Sequence, residues 1–328
     1  CRPDNKEADT SVKQEVNPSL RQAKEALSRK EETMLSQMVA TAEVCTERAA
    51  LLRQQGDIKA AESIEQAAIT CYHDAKSTAK TISKKRTLQF SESPGCGAIH
   101  TRPWDFTEPW KEIGPAQGAV TIDKDLMVHF SASPDIRDEQ VETFAGWAPG
   151  SVQYLNLGNA ALISDAALPA IAKIRGLIDL SFYGTNITDT QLDALAALPY
   201  LRQLNLMGTQ ITSEGIVRMA GILPGLTELA LQDSQADDKV LWALRQCPRL
   251  ERLICKGGKV SDVGIRHLDG LKNLRRLWIG SARITDRSIP ALAAHQGIKE
   301  IVLMRTAVSE AGLRKLKEAL PECNVSFN

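Results

Sequence analysis

Seven cysteines and five histidines are the residues of this 328-residue chain best suited to redox, metal or nucleophilic chemistry. No two cysteines form CxxC or CxxCH, the spacings that zinc ribbons, dithiol oxidoreductases and c-type haem attachment need. Cys96 and His100 form a single CxxxH. One pair supplies half of a tetrahedral donor set, and no second pair stands near it in sequence. His73, His100, His129, His267 and His295 are scattered, and HExxH, GxSxG and a glycine-rich phosphate loop are all missing. Asp123 and Asp125 have the spacing that opens a calcium loop, but the rest of an EF-hand loop is not there. The expectation is therefore a chain that is not an enzyme and uses no cofactor or metal. An unrecognised active site in the N-terminal half, on Cys96 or His100, is the alternative.

Two other cysteines lie on helical stripes. Asn17-Pro18 reads as a helix start, Asn capping free N–H groups and Pro fitting the first helical position. Apolar residues recur from Leu20 to Leu52, with alternating four- and three-residue spacing from Met38 on, and again from Ala61 to Ala75. Gln55-Gly56-Asp57 separates the two runs. This predicts an antiparallel helical hairpin over residues 18–90. Cys45 and Cys71 stand equally far from its midpoint, at one level, where they form either a disulfide or two buried thiols. The turn and second helix, Arg53 to Ala68, resemble one tetratricopeptide unit. The likeness implies a helix–turn–helix shape, since arrays of that kind need about three units.

Residues 1–17 form a polar tether. A chain whose first residue is Cys1 resembles a bacterial lipoprotein. That implies lipidation of Cys1 and an exported protein anchored in the cell envelope, touching the membrane through that lipid alone. Without lipid on Cys1 the expectation is a cytoplasmic protein. Residues 91–118 read as an ordered connector rich in Pro and Trp, in which Trp104, Phe106 and Trp110 want burial against the next domain, an aromatic ligand-binding box being the alternative. Residues 119–151 read as the N-terminal cap of that domain, with Val120–Ile122 and Leu126–Phe130 suggesting a hairpin.

From Val152 the chain repeats. VQYLNL, LIDLSF, LRQLNL, LTELAL, LERLIC, LRRLWI and IKEIVL align on Leu155, Leu180, Leu204, Leu229, Leu253, Leu277 and Ile301, at intervals of 25, 24, 25, 24, 24 and 24. These segments resemble leucine-rich repeats, and TNITDTQL, TQITSEGI, ARITDRSI and TAVSEAGL resemble the variant common in planctomycete-type bacterial proteins. The closing LPECNV resembles the terminal cap of such arrays. The resemblance implies an α/β fold: a solenoid over 152–328 with parallel strands on its concave side and helices on its convex side. First, fourth and sixth strand residues would stack into ladders that no single turn can bury. The ninth position, Asn in many such repeats, holds Ala160, Thr185, Thr209, Ser234, Gly258, Ala282 and Thr306. Asp165, Asp189, Asp262, Asp286 and Glu310 recur at the repeat period, each after Ser or Thr. Capping of the convex helices explains them better than a metal-binding edge.

Strand positions three, five and seven face outward on the concave side. There Tyr183, Met207, Arg252, Ile254, Lys256, Arg276, Trp278, Val302 and Met304 gather the aromatic, thioether, aliphatic and cationic groups of an interaction surface. The predicted function is a non-enzymatic scaffold for a protein or peptide. The alternative is a cytosolic adaptor of the F-box type, with the hairpin as its docking module.

Forty basic residues balance forty acidic ones. The sum argues against a nucleic-acid partner, and no apolar run approaches the ~18 residues of a membrane helix. The zero conceals polarity. Residues 119–249 carry 9 basic and 15 acidic groups, and 250–328 carry 14 and 8. An acidic or amphipathic partner, or end-to-end self-association, is expected at the basic end.

Overall fold

The computed structural model describes residues 85–91, 96–104, 108–148 and 150–327. Cys1, the tether, the hairpin up to residue 84 and the Cys45–Cys71 pair lie outside the described residues. The last stretch of the expected hairpin is strand β1 (Lys85–Gln89).

Strands β2 (Gly97–Pro103) and β3 (Lys111–Pro115) pair antiparallel, and β2 also pairs antiparallel with β5 (Leu126–Ala132). The connector is thus itself sheet. Strand β4 (Ala119–Asp123) pairs with β1, not with β5, so the expected 120–130 hairpin is instead a corner between two sheets. From β5 onward every pairing is parallel: β6 (Tyr154–Asn156), β7 (Asp179–Ser181), β8 (Gln203–Asn205), β9 (Glu228–Gln232), β10 (Arg252–Lys256), β11 (Arg276–Gly280), β12 (Glu300–Met304) and β13 (Asn324–Phe327). The register stacks Phe130, Leu155, Leu180, Leu204, Leu229, Leu253, Leu277, Ile301 and Val325 into one ladder. All nine are buried, as are the sixth-position rungs Leu157 to Leu303, with Cys255 among them. Burial raises the Cys255 thiol pKa, as suits a core residue.

The ladder outruns the seven aligned segments at both ends. Phe130 precedes Leu155 by 25 residues and is a first rung, and LPECNV contributes an eighth parallel strand to the run from β6. The N-terminal end is closed by aromatic rings. Phe144 stacks on Trp147 at 4.1 Å, Phe130 meets Phe144 edge-on at 5.2 Å, and Trp147 Nε1 donates to the Gln89 carbonyl at 2.9 Å.

Strand length follows the fifth position. In β6 and β8, Asn156 and Asn205 accept through Oδ1 from the N–H two residues on, and in β7 Ser181 Oγ does the same. Such turns end a strand, and these three are three residues long. Ala230, Ile254, Trp278 and Val302 offer no acceptor, and β9 to β12 run to five residues.

The convex side carries short helices and 3-10 turns. Its α-helices are α1 (Asp138–Glu142), α2 (Leu168–Ile171), α3 (Ser213–Ile222), α4 (Asp238–Ala243), α5 (Asp262–Ile265), α6 (Ile289–Ala293) and α7 (Glu310–Ala319). The repeated acids act differently from expectation. Ser164, Ser261, Thr285 and Ser309 cap their own helical segments. The aspartate that follows reaches the next coil. Asp138, Asp165, Asp189, Asp238, Asp262 and Asp286 each accept two bonds from the cap of the next coil, its N–H at 2.7–2.9 Å and its hydroxyl at 2.5–2.7 Å. Capping and coil-to-coil bridging are thus split between neighbouring residues. The run breaks once. The fourth coil caps with Asp237, which has no hydroxyl to donate, and Glu214 turns to Thr212, Ser213 and Lys239.

Glycine makes room for this bridge. A β-carbon on Gly264 would collide with the Asp238 carboxylate and lie 3.1 Å from Asp238 Cα. Gly264→Ala should therefore destabilise the protein by about 1–2 kcal/mol, although alanine is the better helix former. In an Asp238→Ala background most of that cost should disappear, only the close approach to Cα remaining. Thermal unfolding of the two singles and the double decides; equal effects in both backgrounds would refute the contact.

Candidate functional site

The concave sheet face changes character along the axis. From β5 to β8 its outward residues are ring-bearing or polar, and β6 to β8 are short strands ended by their own side chains. From β10 to β12 they are Arg252, Ile254, Lys256, Arg276, Trp278, Gly280, Glu300, Val302 and Met304, on longer strands.

The first half forms a groove of about 430 Å³. Its N-terminal wall is Trp110, which precedes β3 and meets Tyr154 edge-on at 4.9 Å and His129 at 5.3 Å. The Arg102 guanidinium lies 4.4 Å over the Trp110 ring and donates to Tyr154 Oη at 3.3 Å. Trp110 thus both packs on the first coils, as expected of an aromatic connector, and lines a site. Burial, with His100 and Arg102 adding to it, lowers His129 to about 4, so its ring is neutral near pH 7. Burial raises Tyr154.

The groove floor is acidic. Asp179 and Glu228 project from the third positions of β7 and β9 with Gln203 between them. Burial first, then the Glu228 charge, pushes the Asp179 carboxyl up to about 6. Glu228 is 3.6 Å from Arg252 across the ladder. The Arg252 guanidinium lies 5.4 Å over the Trp278 ring and Lys256 Nζ 5.9 Å from it. Arg252 therefore links the acidic floor to the cationic, apolar half. The buried Nε1 of Trp278 has no hydrogen-bond partner.

The nine expected surface residues are not one patch. Met207, Arg252 and Ile254 line the groove. Lys256, Arg276, Trp278, Val302 and Met304 continue beyond it, while Tyr183, 40% exposed, stands outside the lining at the end of β7. Sequence reading weighed Trp110 as part of a ligand-binding aromatic box beside its burial, and missed His129 and Asp179 as site residues. The period-matched Tyr154-Asp179-Gln203-Glu228 column holds the signal for the last of these. Cys96 and His100 do not converge. Cys96 is in the core, its thiol pushed up to about 11 by burial and then by Asp135, while His100 is 3.8 Å from Glu112 and stacks near His129 at 5.5 Å.

The fold is leucine-rich-repeat-like. The ladder, the parallel sheet and the one-strand-per-coil period establish that. Among solved structures, an internalin of Listeria monocytogenes matches 54% of this chain and 54% of its own at 17% identity, TM-score 0.39. A leucine-rich repeat protein of Leptospira interrogans matches 57% and 45% at 18% identity, TM-score 0.35. A second Listeria monocytogenes protein, internalin C2, matches 58% and 92% at 19% identity, TM-score 0.37. The chain spans about half the length of the first two. No family model matches the sequence, and no curated protein does.

Proposed function

We propose that this protein is a non-enzymatic scaffold that holds a protein or peptide on the concave face of its repeats. The observation that supports it is the continuity of that face. An open groove with an aromatic wall runs, through Glu228, Arg252 and Trp278, into a surface of Trp, Met and Arg side chains. Arg252 and Trp278, packed together at its centre, are the anchors to which truncation should be most costly. Replacing both by Ala should weaken partner binding at least about a hundredfold, roughly 3 kcal/mol. Titration calorimetry with the native partner, captured through the intact chain, reads this out. Unchanged affinity in the double variant would move the binding surface elsewhere.

A further inference from the structure

Along the third positions of β7 to β11 the concave face presents Asp179, Gln203, Glu228, Arg252 and Arg276 in that order. The inner two charges neutralise each other through the 3.6 Å Glu228–Arg252 contact. The outer two are left over. The Asp179 carboxyl, on the groove floor, has no hydrogen-bond or ion-pair partner among the described residues. Arg276 is exposed, and its guanidinium likewise has none among the described residues, although Glu300 is its neighbour in register. A carboxylate set in a groove without a partner works against folding, so its counterpart, if it has one, comes from beyond the described residues.

We infer that the groove takes an extended peptide segment that seats a Lys or Arg side chain on Asp179 and a carboxylate on Arg276, about six residues apart. This rests on the concave-face reading and deepens it. The spacing follows from the sheet. Strands β7 and β11 are four strand intervals of about 4.8 Å apart, roughly 19 Å, and an extended chain covers ~3.3 Å per residue. The walls fit the same occupant. Tyr154 pairs in register with Asp179 and stands with Trp110 beside it, giving ring surface for the aliphatic stem or guanidinium of the basic residue. Between the charged ends, Ala230 and Ile254 are adjacent in register and line the groove, an apolar step for an apolar residue in mid-segment. Asn156 and Asn205 spend Oδ1 on their own turns, which leaves their amide N–H groups to meet the carbonyls of a bound backbone. The ordered charges also fix direction, because a segment laid in reverse would place like charge on like at both ends.

Selection of random displayed decapeptides on the intact protein tests this. Enriched peptides should carry Lys or Arg with Asp or Glu five to seven residues away. Asp179→Asn should abolish the basic preference and weaken such peptides about tenfold while leaving the acidic preference in place. Asp179→Lys should reverse the preference at that end to acidic, a result that loss of folding cannot imitate. Arg276→Glu should do the converse at the other end. Peptides that lose binding in Ile254→Asp but show no basic preference, or bind Asp179→Asn equally well, overturn the charge pairing and leave the concave-face reading standing. No enrichment, or peptides indifferent to Asp179, Ile254 and Trp278 substitution alike, overturns both.

Discussion

Asp179→Asn should make the protein more stable at neutral pH, and the gain should vanish in acid. The Asp179 carboxyl is raised to about 6 from an ordinary 3.8, burial being the larger cause and Glu228 the smaller. Between these values the folded chain holds a proton that the unfolded chain has released. Raising the pH through that window therefore costs the wild type stability, of the order of 2–3 kcal/mol once both states are ionised. Asparagine keeps the shape and carries no charge, so the difference between variant and wild type should be near zero below about pH 4, grow to about pH 6 and stay level above it. Other carboxylates act in the opposite sense. Burial works to raise Asp262, but its bonds from Ser288 and Thr285 outweigh that and hold it low, and the bonds from Ser309 hold Asp286 low. Both lend stability that is lost as pH falls. For that reason the difference curve from urea unfolding, not the wild-type curve, is the measurement. A pH-independent difference would show that Asp179 titrates normally. A site that lowers stability and is relieved by substitution is the pattern of a residue kept for binding. A bound cation should also pull this pKa down, so binding of a basic peptide should release a proton near pH 6 and tighten as the pH rises.

Much of this was legible in the sequence because solenoid geometry is periodic. Equal spacing of Leu155 to Ile301 sets the register, and with it the identity of every core and concave residue between them. The ends were legible as caps, but the first rung of the ladder was not. Phe130 keeps the 25-residue interval, but VHFSA lacks the leucines that mark a copy. Its partner strand β2 is antiparallel and far outside the repeat, and a period search is blind to it. The convex acids were visible as a column, yet their partners were misjudged. Capping by the adjacent residue and bridging to the next coil require the same Ser/Thr-Asp dipeptide, and only the distances separate them. The groove shows a similar division. Its acidic floor is a readable column, whereas its aromatic wall depends on Trp110 arriving beside Tyr154 through β2 and β3, a contact between residues with no common period.

Gln235→Leu should be among the most destabilising single changes in the solenoid, at about 2–4 kcal/mol, and should split its unfolding into two steps. Gln235 is 1% exposed. Its amide donates to the Leu206 carbonyl at 2.7 Å and to Thr209 Oγ1 at 2.6 Å, both on the preceding coil, and its Oε1 accepts from Gln232 N–H at 2.7 Å. Leucine fills the volume but leaves these groups buried without partners, which costs more than the bonds themselves contribute. Position matters as much as chemistry. The third and fourth coils are the pair at which the aspartate bridge is interrupted, because Asp237 replaces the hydroxyl cap and Glu214 turns to Lys239. On that interface Gln235 supplies the cross-coil bonds that the carboxylate supplies elsewhere. In a one-dimensional array, stability is a sum of coils and of the interfaces between neighbours, so weakening one interface uncouples the two sides. Tryptophans report each side separately: Trp147 sits in the N-terminal aromatic plug, and Trp278 on β11. In chains retaining only one of these tryptophans, the two urea transitions should coincide with Gln235 present and separate in Gln235→Leu, the half with the lower midpoint losing its neighbour's support first. Coincident transitions in the variant would mean that the hydrophobic ladder alone carries cooperativity across the break. Gln235 would then be a local turn residue whose loss costs free energy without dividing the array.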